Sequence, residues 1–159
     1  MQVNATAEAH DSLWFMNSHV RVALSRGANN EGVSLIEHTL PFGDAPPLHM
    51  HEEEDELFYL LEGEVFFRVG ARSFIAKAGD AFVAPRKEPH GFMVLSEAGA
   101  RLLTITRGGF EDAVREASRP AEGCTLPEPV EPTPEMQQAL GTICSANGIQ
   151  LLGPPIAAA

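Results

Sequence analysis

Gly43-Asp44-Ala45-Pro46-Pro47-Leu48-His49-Met50-His51-Glu52-Glu53-Glu54-Asp55-Glu56-Leu57-Phe58-Tyr59-Leu60-Leu61-Glu62-Gly63 is the stretch on which the fold turns. His49 and His51 stand two apart, and in an extended strand residues i and i+2 point to one face. Pro46-Pro47 favours an extended approach to them. The acidic run from Glu52 to Asp55 is long enough to turn the chain and bring Glu56 back to that face. Neutral imidazole nitrogens and a carboxylate oxygen suit a divalent first-row metal. Five consecutive acidic residues compete for the carboxylate role. The first four are expected in the turn, where neighbouring carboxylates repel one another and take water. Glu56 opens an apolar strand and shares parity with Phe58 and Leu60. A charge facing inward there needs a partner. Local sequence leaves two readings open: Glu56 as a ligand, or as the last solvated member of the acidic turn.

Working outward, most of the chain reads as strands. Val20, Val22 and Leu24 alternate with His19, Arg21 and Ala23, a period of two. Arg26 to Gly32 is dense in turn formers, and Val33 to Leu40 is a second extended run. After Glu56–Leu61, the pair Glu62-Gly63 reads as a tight turn, with Glu64–Val69 pairing back as a hairpin. In that second strand Val65, Phe67 and Val69 share one face, and Phe66 lies on the other. Short strands follow at 73–76 and 81–84. Pro85 and Pro89 bracket a loop that leads into a strand at His90, a third candidate imidazole. Arg101–Thr106 is the last clear strand. Many short strands with regular turns predict a closed or nearly closed antiparallel sheet.

The pattern then changes. Phe110, Ala113, Val114 and Ala117 recur at helical spacing, with Glu111 and Asp112 in the first turn, where the helix dipole favours them. Arg119–Pro132 holds four prolines and reads as a linker over the surface. Thr133 is an N-cap with Pro134 at the first helical position. Met136, Leu140, Ile143 and Cys144 form one apolar stripe, Asn147-Gly148 stops the helix, and 149–155 is an extended tail.

Composition narrows the function. Of 159 residues, 22 are acidic and 11 basic, giving a net charge of −11. Such a chain repels phosphate backbones and anionic membranes, and Arg86-Lys87 is too small a basic cluster to offset it, so no nucleic-acid or membrane partner is expected. Cys124 and Cys144 have no metal-type spacing and read as thiols. The N-terminus lacks a basic stretch followed by an apolar run, and no apolar run is long enough to span a bilayer, so a cytoplasmic location is expected. His10, His19 and His38 have no partner at ligand spacing and read as surface or core residues, with a position near the pocket open to His38.

Gly43, His49, His51, Glu56 and Gly63 carry the spacing of the first cupin motif at every defining position. Gly79, Pro85 and His90 match the second. Lys87 stands where that motif usually has glycine, and Val94 where it usually has asparagine; neither is a ligand position. The chain thus resembles the cupin superfamily. Its layout of last strand, helix, Pro-rich linker, helix and tail looks like the small bacterial single-domain cupins grouped with quercetin dioxygenases.

The resemblance implies an all-β fold, a double-stranded β-helix (jelly-roll barrel) with short C-terminal helices. Residues 1–107 would form the barrel with its N-terminal strands. Residues 108–159 would pack helices, linker and tail onto it within a single domain. It implies one divalent metal ion held by His49, His51, Glu56 and His90; iron, nickel, manganese, cobalt, copper and zinc all accept this set. Glu56 would also be the catalytic base. The implied activity is a dioxygenase acting on a flavonol-like or other phenolic molecule. A metal-dependent isomerase or lyase using the same residues, and a small-molecule-binding cupin without catalysis, are the alternatives. Phe58, Leu60, Phe66 and Phe92 are the expected pocket residues, and a homodimer is the implied assembly.

Overall fold

The structure, a computed structural model, describes residues 11–158; His10 lies outside them. Twelve strands form two antiparallel sheets, and two helices follow the barrel strands. The first sheet holds β1 (Ser12–Phe15), β2 (Ser18–Leu24), β3 (Ser34–Leu40), β5 (Glu56–Glu62), β8 (Ala81–Ala84), β10 (Ala100–Thr106) and β11 (Ser118–Pro120), in the order β11-β1-β2-β3-β10-β5-β8. The second holds β4 (Pro47–His51), β6 (Glu64–Val69), β7 (Arg72–Lys77), β9 (His90–Val94) and β12 (Ile149–Pro155), in the order β12-β4-β9-β6-β7. This is the all-β jelly-roll architecture that the resemblance implies, and its antiparallel pairing is what the strand pattern predicts. No helix among the described residues is long and apolar enough to cross a membrane.

Alternation builds the core. On β5 the side chains of Glu56, Phe58 and Leu60 are buried, while Leu57 and Tyr59 face out. On β6, Val65, Phe67 and Val69 turn inward to meet them. Leu40, Val94 and Leu102 complete this cluster between the sheets. Burying each such large side chain contributes roughly 1.5–3 kcal/mol. A second cluster, around Val20, Ile36 and Val114, fastens helix α1 (Phe110–Ala117) to the first sheet. A third, around Ala113, Cys144 and Ile149, joins α1 to α2 (Pro134–Ala146) and β12.

Three expectations change. The turn at Glu62-Gly63 is not a hairpin: β5 pairs with β10 and β8, whereas β6 pairs with β7 and β9. Gly63, at φ 86°, turns the chain from one sheet to the other, and a Cβ there would meet the Gly99 carbonyl oxygen at 2.7 Å. A hairpin and a crossing corner have the same local pattern, so only the distant partners distinguish them. Arg119 and Pro120, expected in the linker, pair with β1 together with Ser118. The tail is a full strand whose Ile149 and Leu151 lie opposite His51 and His49. Both helices keep their expected bounds; Thr133 Oγ1 accepts the Met136 N–H as the α2 cap. The Cys124 and Cys144 thiols are free.

Candidate metal centre

His49, His51 and His90 belong to the second sheet and Glu56 to the first, so the site bridges the two. Proline-led β4 delivers His49 and His51, and the β4–β9 register sets His90 directly opposite His49. The ring centroids of His49 and His90 are 4.5 Å apart, of His51 and His90 5.4 Å, and of His49 and His51 5.5 Å. One ligand atom from each of the four residues lies within 4.8 Å of the others. Glu56 is 2% exposed; its Oε2 is 3.0 Å from His90 Nε2 and 3.3 Å from His51 Nε2.

Each imidazole is oriented through its Nδ1. His49 Nδ1 donates to the Pro47 carbonyl oxygen (2.8 Å), His90 Nδ1 to the Glu88 carbonyl oxygen (2.9 Å), and His51 Nδ1 to Glu54 Oε1 (3.1 Å). Two backbone carbonyls and a carboxylate oxygen accept at Nδ1, so each ring turns its Nε2 toward the centre, where a bound ion would take the lone pair. His51 Nε2 is buried with no hydrogen-bond partner. His90 Nε2 and Glu56 Oε2 face each other at 3.0 Å, a spacing that calls for a shared proton or a bound cation between them. A positive charge between them satisfies both, and three Nε2 atoms with one carboxylate make a donor set that fits a divalent ion.

Protonation follows the same arrangement. Burial pulls the His51 imidazolium down, but the Glu56 charge 3.3 Å from Nε2 and the Glu54 carboxylate bonded to Nδ1 outweigh it and raise its pKa to about 9. Burial alone would push Glu56 up; the His51 charge beside it and the His90 nitrogen facing it prevail and hold it well below the usual range. Burial, reinforced by the His90 charge, lowers His49 to about 4. Its accessible edge lies along a cavity rather than in bulk water.

Residues 36–106 match the family model described as a cupin domain. That stretch of the chain is similar to a cupin domain. An uncharacterized protein of Methanocaldococcus jannaschii is 37% identical over 70 residues, covering 44% of this chain and 56% of that one, so this chain spans little more than half the length of that relative. Among solved structures, a predicted oxalate decarboxylase from Thermotoga maritima is similar at a TM-score of 0.57 and 24% identity, covering 67% of this chain and 98% of that chain. The polyketide cyclase RemF from Streptomyces resistomycificus is similar at 0.51 and 23%, covering 67% of this chain and 75% of that one. These two likenesses concern the fold.

Around the site, several residues stand where the sequence did not put them. Glu54, expected in water, is 4% exposed; Oε1 accepts from both His51 Nδ1 and the Phe110 N–H (2.8 Å). It therefore ties a candidate ligand to the start of α1. A Cβ at Gly108 would come within 2.8 Å of Glu54 Oε2, so the glycine leaves it room. Four acidic residues in a row hide which one turns inward; the helical start at Phe110 is the only local hint of a partner. Asp55 accepts from Arg86 N (2.9 Å), and His51 O accepts from Lys87 N (2.7 Å), so the loop before His90 is pinned to the acidic run and to β4. Lys87 has φ 63°, the left-handed conformation for which the motif uses glycine.

A cavity of about 90 Å³ opens beside the cluster, with His49 and Glu56 on its wall. Phe58 and Phe92 line it, together with Phe110, His38 and Thr104. Leu60 and Phe66 do not. Leu60 lies on the inward face of β5 but four residues beyond Glu56, roughly 13 Å along the strand, and packs in the core. Phe66 has the opposite parity to Phe67 and points away from it. His38 Nε2 bonds Thr104 Oγ1 at 2.9 Å, and its ring lies 6.2 Å from Phe110. Burial lowers His38 to about 4, against the pull of the Glu56 charge, so it is neutral. Burial pushes the Cys144 thiol on the same wall up to about 11, which keeps it unreactive.

Proposed function

We propose that this chain is a metal-dependent dioxygenase acting on a flavonol-like or other phenolic aromatic molecule. The observation that supports this most is the placing of Glu56 and His49 at the wall of a cavity whose lining includes Phe58, Phe92, Phe110 and Leu102. A divalent ion held by His49, His51, Glu56 and His90 would supply the Lewis acidity and redox chemistry that dioxygen requires. The protein's own part is to bind, dry and orient. Aromatic walls receive a flat ring and exclude water. Glu56 accepts the proton of the phenolic hydroxyl, and neutral His38 is a second acceptor within the cavity. The space is narrow: an apolar cavity of about 150 Å³ holds a benzene, so this one takes the reacting edge of a ring, with the remainder outside.

The test is oxygen consumption across a panel of phenols and flavonols, on protein whose metal content is assayed and reconstituted ion by ion. Uptake that disappears in Glu56→Gln supports the reading. Absence of uptake with every ion overturns it, and turnover under anaerobic conditions would instead assign an isomerase or lyase that uses Glu56 and His38 as acid–base groups.

A further inference from the structure

A larger groove, of about 740 Å³, runs between the β1–β2 turn, α2 and the end of β12. Met16, Pro47, Leu140 and Leu151 line both this groove and the inner cavity, so the two share a wall of mostly flexible side chains. Pockets for drug-sized ligands run from about 300 to 1,000 Å³; the groove lies in that range and the inner cavity far below it. We propose that the groove is the outer half of the substrate site, holding the distal, anionic end of an elongated multi-ring substrate whose reacting ring enters the inner cavity. The proposal rests on the site reading above only for which end reacts.

Chemistry as well as volume supports this occupant. The groove lining carries two charged residues, Arg119 and Glu116. Glu116 Oε1 is engaged by Asn147 Nδ2 at 3.4 Å. The Arg119 guanidinium lies 5.0 Å from the centroid of the Trp14 ring, and Trp14 Nε1 donates to the Thr125 carbonyl oxygen at 2.8 Å, which fixes that ring. A planar guanidinium backed by a fixed indole presents its fork to a carboxylate or phenolate. On a chain of net charge −11, it is the feature of this groove that attracts an anion. The remaining lining is largely apolar, as a stack of rings requires. Gly153 faces open space, with no heavy atom within 4 Å of where its Cβ would stand.

Trp14 is the chain's one tryptophan, so its emission reads occupancy of the groove without turnover. The probes are 4′-hydroxybiphenyl-4-carboxylate (long, anionic), 4-hydroxybiphenyl (long, neutral) and phenol (short), titrated into metal-loaded and metal-free protein. Both biphenyls should quench Trp14 saturably. Arg119→Gln should raise the Kd of the carboxylate about tenfold or more, the loss of a charge-assisted bond, and leave that of 4-hydroxybiphenyl unchanged. Gly153→Phe, and independently Ala139→Phe on the facing helix, should weaken both biphenyls at least about tenfold while metal content, circular dichroism and phenol binding stay unchanged. The proposal is overturned if neither biphenyl binds, if the filled variants bind as well as the parent, or if Arg119→Gln weakens both biphenyls equally. It is also overturned if sedimentation shows that the filled variants dissociate a dimer, which would make the groove a contact between copies. Lack of oxygen uptake, by contrast, would remove the dioxygenase reading and leave these binding results standing.

Discussion

Removing Glu54 should loosen the metal without unfolding the protein. In Glu54→Ala, His51 Nδ1 loses its acceptor at 3.1 Å, and the Phe110 N–H loses its acceptor at 2.8 Å. The orphaned N–H costs about 1–3 kcal/mol in a buried setting. The same substitution removes a buried carboxylate whose Oε2 has no partner, and that gain offsets much of the cost. Fold stability should therefore move little. Metal affinity should not be spared, because a ligand imidazole freed from its orienting partner loses its fixed tautomer and angle; such losses run to about 10–100-fold, or about 1.4–2.7 kcal/mol. Proton competition must be controlled. Glu54 also helps raise His51 to about 9, so at neutral pH its removal makes the ring easier to deprotonate and masks part of the loss. The comparison belongs near pH 9.5, where His51 is mostly neutral in both proteins, with zinc competed against a chromophoric chelator. Glu54→Gln keeps an oxygen acceptor without the charge and should lose less than Glu54→Ala. If Glu54→Ala, folded by circular dichroism, holds zinc within twofold of the parent, the assignment of Glu54 as the group that positions His51 is wrong.

Further outcomes follow from the same geometry. Zinc binding at pH 7 should release about one proton, that of His51, read from the buffer dependence of the calorimetric heat. Supplying the ion at about 100 times its Kd should add about 2.7 kcal/mol, a rise of about 5–11 °C in Tm for a domain of this size. His38 titrates near 6.5 when unfolded but at about 4 when folded. Its contribution is therefore complete above pH 6.5 and is lost as pH falls toward 4, by about 2 kcal/mol at pH 5; urea unfolding of the parent should show this loss relative to His38→Gln, whose side chain does not titrate. Lys87→Gly should stabilise by about 0.5–1 kcal/mol by removing a left-handed non-glycine residue, whereas Lys87→Ala, which keeps the strain, should bring no gain in the urea midpoint.

How much was legible depended on range. The i, i+2 histidines, Glu56 and His90 were readable because a metal demands a few residue types at spacings a strand dictates, and the structure brings those four side chains within 4.8 Å. The helices were readable from caps and periodicity. Glu54 was not, because four adjacent carboxylates look alike until Gly108 and Phe110, more than fifty residues later, select one of them. Leu60 had the right face but the wrong depth, and Phe66 the wrong face. Lys87 looked like a departure from the motif, yet its φ of 63° shows the backbone keeping the shape for which the motif uses glycine.

Local order determined the alternation of each strand, the tautomer-setting oxygens two residues before His49 and His90, and both helix boundaries, since these depend on neighbours within one turn or pleat. Tertiary structure alone decided that Gly63 crosses between sheets and that the tail pairs with the strand bearing two of the ligands. It also decided which acidic residue is buried and which side chains stand between the cavity and the groove beside Trp14. Each of these depends on partners dozens of residues away, and a contact between such partners leaves no periodic mark on either segment.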